Sequence, residues 1–149
     1  MVLKDGSRAP GGAFENPTPE ALRAVLNSVK TIAVVGFSPR PARPSHNISR
    51  QMQRMGYRII PVRPGMTEGL GEKAYARIED IPEQVDLVNL FRNGRFAPEA
   101  VESCLRIGVP NLWMQEGCIN EEAAQRARDA GMTVVMNRCI LRDYTRLCL

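Results

Sequence analysis

Apolar residues fall into two rhythms along the chain: short unbroken runs, and longer stretches where they recur every three or four positions. Thr18-Pro19-Glu20 combines a capping hydroxyl, a proline for the first helical position and an acid for the first turn. Leu22, Val25, Leu26 and Val29 follow at helical spacing. Ile32-Ala33-Val34-Val35 is a continuous apolar run, as expected of a strand covered on both faces. Ser45 is expected to cap a helix built on Ile48, Met52 and Met55, ended by Gly56. Tyr57 to Val62 reads as a second strand, and Met66 to Pro82 as a long loop with a short extended piece near Ala74. Val85 to Phe91 is the third strand. A helix from Pro98 uses Val101, Cys104 and Leu105 and stops at Gly108. Leu112-Trp113-Met114 is the fourth strand, and Asn120 caps a helix whose buried positions are Ala123, Ala124, Ala127 and Ala130, before Gly131. Thr133 to Met136 is the fifth strand, and residues 138–149 carry no assigned element.

Strand and helix therefore alternate, which predicts an α/β chain with a mainly parallel five-stranded sheet and helices on both faces. Right-handed crossovers make a doubly wound, Rossmann-like fold the economical arrangement. The 149 residues suffice for one domain with a real core, and 44% hydrophobic content is ordinary for a globular chain. A flexible lead is expected over 1–17 and a single domain over 18–149. No apolar stretch approaches the ~20 residues that span a bilayer, and residues 1–12 lack the apolar core of a signal peptide. The four cysteines form no C-x-x-C pair, so neither a metal site nor a dithiol motif is expected, and a reduced, cytoplasmic chain is.

Charge changes the picture locally. The whole chain carries +4, yet residues 31–67 hold Arg40, Arg43, Arg50, Arg54, Arg58 and Arg63 with no acid, leaving −2 for the remainder. Aromatic residues are not interleaved with these arginines, so no stacking platform for a nucleic acid is evident. A local anion site accounts for the asymmetry. In a doubly wound fold it would lie beyond the strand ends. Gly36 leaves the first strand directly and permits close backbone approach. Ser38 and Ser45 supply hydroxyls, Arg40 and Arg43 bidentate charge, and the following helix start free amides. Neither G-x-G-x-x-G nor the P-loop lysine motif is present. Val62-Arg63 ends the second strand with a base where an NAD site wants an acid, which favours a ribose bearing its own phosphate, as in NADP or coenzyme A. Phe91 could lie against an adenine and Arg92 meet a phosphate. Met114-Gln115-Glu116 leave the fourth strand with groups suited to a carbonyl-bearing arm.

At these residues the chain resembles the small stand-alone coenzyme A-binding proteins, whose domain is similar to the N-terminal domain of the succinyl-CoA synthetase α subunit. The resemblance rests on Val35-Gly36-Phe37-Ser38 with Arg43-Pro44-Ser45, Ile60-Pro61-Val62-Arg63-Pro64, Leu70-Gly71-Glu72-Lys73, Phe91-Arg92, Trp113-Met114-Gln115-Glu116-Gly117 and Asn137-Arg138-Cys139. It implies that the Gly36 loop holds a pyrophosphate, that Arg63 helps hold the adenosine end, and that the loop after the fourth strand lines the pantetheine. Many relatives carry asparagine at the position of Arg63, and the Asn137-Arg138-Cys139 stretch often begins with aspartate.

The only histidine, His46, sits beside the expected helix start, suited to a phosphate contact or to capping, and no catalytic triad can be built on it. The expectation is a non-catalytic carrier, sensor or regulatory module for coenzyme A or an acyl-CoA, with no metal and no nucleic-acid or membrane partner. An NADP-binding oxidoreductase-like protein and an accessory subunit of an acyl-CoA ligase are the alternatives. An acyl-CoA enzyme or a second copy of the chain is the expected protein partner. Cys118 is a candidate for a mixed disulfide with the cofactor thiol.

Overall fold

The computed structural model describes residues 13–149. Five parallel strands form the sheet: β1 (Thr31–Val35), β2 (Arg58–Val62), β5 (Leu87–Leu90), β6 (Asn111–Met114) and β7 (Thr133–Met136). They lie in the order β2-β1-β5-β6-β7. Between β2 and β5 a two-stranded antiparallel hairpin, β3 (Glu68–Gly69) and β4 (Glu72–Lys73), fills part of the expected long loop. Tyr75 then bridges to Val62, which is the short extended piece expected near Ala74.

The continuous apolar runs become strands because both sheet faces are covered. Ala33, Ile60, Val62, Val88, Leu90, Leu112, Met114, Val134 and Met136 pack on one face, with α3 (Ala97–Ile107) and α4 (Glu121–Asp129) over them. Ile32, Val34, Ile59, Leu87, Trp113 and Val135 pack on the other, under α1 (Pro19–Ser28), α2 (Pro44–Arg54) and α5 (Ile140–Cys148). Ala123, Ala124 and Ala127 are buried on α4, where the missing side-chain bulk lets the helix sit close to β7.

The helix starts follow local chemistry with one correction. Thr18 and Asn120 cap α1 and α4 through their side chains, accepting from Ala21 N at 3.2 Å and Ala123 N at 2.9 Å. Ser45 does not cap α2: Arg43 is the capping residue, and it does so with backbone alone. Pro44, with its fixed φ, takes the first helical position, so the helix starts two residues earlier than a Ser45 cap would place it. Met55 is likewise 39% exposed rather than core. The tail forms α5, whose only fully buried carboxylate, Asp143, is 2% exposed and held by Arg138 through two bonds of 2.6 and 2.7 Å.

Residues 1–12 of the expected lead lie outside the described residues. The described part of that lead is docked through Phe14 and Asn16. Phe14 joins the core, and Arg128 stacks over its ring at 4.1 Å. The Asn16 side chain both donates to Met136 O (2.9 Å) and accepts from Met136 N (2.7 Å), continuing the ladder of edge strand β7. Among the described residues no helix is long and apolar enough to cross a membrane.

Candidate functional site

The chain leaves β1 toward β2 on one side and returns to β5 on the other, so strand order reverses between β1 and β5. The loops leaving two neighbouring strands then part in opposite directions and open a crevice at their carboxyl ends. Gly36 and Phe91-Arg92 sit at its floor. Gly36 has φ +86°, donates its amide to Val62 O at 3.1 Å, and lies so close to β5's exit that a Cβ would stand 2.3 Å from Phe91 O. Only glycine fits this approach.

The crevice has two lobes. The larger, about 900 Å³, runs from the Gly36 loop and the start of α2 across to the loops after β6 and β7. The smaller, about 540 Å³, lies between the ends of β2 and β5 and helix α3. Arg63, Phe91 and Arg92 border both lobes.

The loop 36–45 is held by its own bonds. Ser45 Oγ accepts from Ser38 N at 2.9 Å, Ser38 Oγ accepts from Arg40 N at 3.2 Å, and Arg43 N donates to Arg40 O at 3.0 Å. His46 Nδ1 lies 2.9 Å from Ser38 O; a carbonyl only accepts, so this nitrogen carries the proton. These contacts aim the first turn of α2, with Arg40 and Arg43, along the larger lobe. Glu116 is the only acid bordering that lobe, and its carboxylate is paired with Arg142 at 2.8 Å. The electrostatic result is a cradle for an anion. In the smaller lobe the walls include Val35, Val62, Ile78, Val88 and Leu90, and Arg92 stacks 3.7 Å over Phe96. A flat apolar group fits such a space.

At the opposite end the loops after β6 and β7 are stitched together. Gly117 N donates to Asn137 Oδ1 (2.8 Å), and Trp113 Nε1 donates to Arg138 O (2.9 Å). Ile140 N donates to Gln115 Oε1 at 2.9 Å. Asn137 takes a left-handed φ of +60°, which asparagine tolerates better than most residues. The Asn137-Arg138-Cys139 stretch is thus a clamp that also presents Cys139 to the lobe.

The structure brings Gly36, Ser38, Arg40, Arg43, Ser45, Arg63, Phe91, Arg92, Gln115 and Glu116 together around the crevice. Three expected site residues stand apart from its lining. Phe37 and Met114 are fully buried on opposite sheet faces, and His46 braces Ser38 beside Phe37, ring centroids 5.0 Å apart. Sequence reasoning missed Asn93, Arg77 and Phe96, which border one lobe or the other. The Asn93-Gly94 pair was a legible turn signal. At Gly94 a Cβ would stand 2.0 Å from Ile119 O, so the loops after β5 and β6 touch there. Arg77 arrives from the loop beyond β4 and carried no local signal. Cys118 lines the lobe but is 2% exposed, and burial pushes its thiol up to about 11. Among the described residues no group of His, Cys, Asp and Glu could hold a metal ion.

The family profile described as CoA binding domain matches residues 30–145. The protein YneT of Bacillus subtilis (strain 168) is 43% identical over 127 residues, covering 85% of this chain and 94% of that one. The acetate–CoA ligase [ADP-forming] I subunit alpha of Pyrococcus furiosus is 32% identical over 131 residues, covering 77% of this chain but only 28% of the ligase subunit. Among solved structures, a hypothetical protein from Pyrococcus horikoshii OT3 superimposes with a TM-score of 0.86 at 34% identity, covering 94% of this chain and 99% of that one.

Proposed function

The chain belongs to the CoA-binding domain family, and from that premise we propose that it binds coenzyme A or an acyl-CoA as a non-catalytic carrier, sensor or regulatory module. The observation that carries the reading is the crevice at the strand-order reversal, where Arg40, Arg43, Arg63 and Arg92 border the larger lobe together with the first turn of α2, and the single acid bordering that lobe is already paired. The pyrophosphate rests on the Gly36–Ser45 loop, whose Ser38, Arg40, Arg43 and Ser45 border the larger lobe. The adenine enters the smaller, mainly apolar lobe, and Arg63, which borders both lobes, meets the 3′-phosphate between them. The pantetheine arm runs along the larger lobe toward Gln115 and Gly117. An apolar slot, a basic middle and an amide-lined far end match the three chemical parts of this cofactor in order.

Direct calorimetric titration tests the reading: coenzyme A gives saturable heat and NADPH gives none. Saturable NADPH heat with a silent coenzyme A titration would replace the reading with the oxidoreductase-like one. The ligase relatives favour a second role for the same site, docking to an acyl-CoA enzyme, since this chain corresponds to 28% of such a subunit. Native mass spectrometry of the protein purified without added ligand reports both retained cofactor and retained partner.

A further inference from the structure

Gln115 is 3% exposed and borders the larger lobe. Its Oε1 accepts the backbone N–H of Ile140, which fixes the amide orientation because that N–H requires an oxygen. The Nε2 hydrogens are thereby turned to the other side, and among the described residues they find no acceptor. The donor borders a cleft, so it points to a ligand carbonyl. Cys139 immediately precedes Ile140, borders the same lobe and is partly exposed, whereas Cys118 beside it is sealed in the core.

We propose that Cys139 is the attachment point for the thiol end of the bound cofactor, forming a reversible mixed disulfide while Gln115 holds a carbonyl of the arm. The inference rests on the coenzyme A reading above. The Cys139 thiolate attacks one sulfur of the cofactor's symmetrical disulfide, the oxidant in this step. A Cys139–S–S–cofactor bond forms as the original S–S bond breaks, and the departing cofactor thiolate takes up the proton that Cys139 gave to solvent. The step records the cofactor's redox state on the protein. It moves the candidate thiol from Cys118, whose burial disfavours the reactive thiolate, to Cys139.

The test uses the full chain, reduced, then exposed to coenzyme A disulfide, with intact-mass analysis and peptide mapping. One cofactor adduct on Cys139, reversed by dithiothreitol and absent in Cys139→Ser, is expected. Formation should be at least tenfold faster than with pantethine, a disulfide of the same arm without the nucleotide, because the cleft pre-positions only the former. Equal rates with the two disulfides would make Cys139 an ordinary accessible thiol and overturn the proposal, as would an adduct mapped to another cysteine. Reduced coenzyme A supplies the separate control. Saturable binding of reduced coenzyme A, together with no Cys139 adduct after exposure to coenzyme A disulfide, overturns the covalent step alone, and loss of both overturns the binding reading with it.

Discussion

Arg43 and Arg63 are the two residues whose chemistry is easiest to isolate. Arg43 is the backbone cap of α2 and borders the larger lobe, so Arg43→Ala removes a cation while leaving the cap geometry in place. The expected loss of coenzyme A affinity is about 1.5–3 kcal/mol, the scale of a hydrogen bond to a charged group, read by calorimetry. An unchanged affinity would put the pyrophosphate elsewhere. Arg63 is anchored only loosely in the protein, with Nη1 3.4 Å from Phe37 O, and it borders both lobes. Arg63→Ala is expected to weaken coenzyme A more than dephospho-coenzyme A; equal losses would remove the 3′-phosphate from this arginine. Both arginines were legible in the sequence because a base at a strand end or helix start is a local fact. The role of Arg77 was not, since its position depends on how the β3–β4 hairpin folds back.

At the scale of elements, α3 is tied to the loop beyond β4 by one carboxylate. Glu79 Oε2 accepts from Ser103 Oγ at 3.0 Å and from Arg106 Nη1 at 2.5 Å. Burial alone would raise this carboxyl, but its own backbone amide, Ser103, the charge of Arg77 and Arg106 outweigh burial and hold it below the ordinary glutamate value of 4.5. A depressed folded-state value means that the stabilisation is present above the unfolded value and disappears as pH falls through the folded one. The melting-temperature gap between wild type and Glu79→Gln is therefore expected to be open at pH 7 and to shrink progressively as the solution is acidified below the ordinary glutamate range. A gap independent of pH would mean that the glutamate contributes packing rather than charge. The five strands were readable because runs such as Ile32–Val35 are apolar at every position. The hairpin was not, since two-residue strands carry no periodicity and are held by tertiary neighbours, including Gln53, which donates to Leu70 O at 2.8 Å.

For the whole molecule the relevant linkage is between crevice and sheet. The site is assembled from loops after β1, β2, β5, β6 and β7, so a ligand bridging them stabilises the native arrangement against the unfolded chain. Coenzyme A at 100 times its Kd is expected to add about 2.7 kcal/mol, which for a chain of this size raises the melting temperature by roughly 5–10 °C. A melt unmoved at saturation would separate this chain's crevice from that of its family. Local rules acting within a few residues, namely caps, apolar runs and glycine stops, determined the alternating elements, the parallel sheet they require and the basic loop at its rim. Only the tertiary structure decided which of two sequence neighbours borders the crevice: Ser38 rather than Phe37, Gln115 rather than Met114. It also chose Cys139 over Cys118 as the thiol with access. The physical reason is that composition sets what a loop carries, while the direction of each side chain at a strand exit is fixed by contacts with residues far away in the chain, such as Gln115 with Ile140 and Gly117 with Asn137.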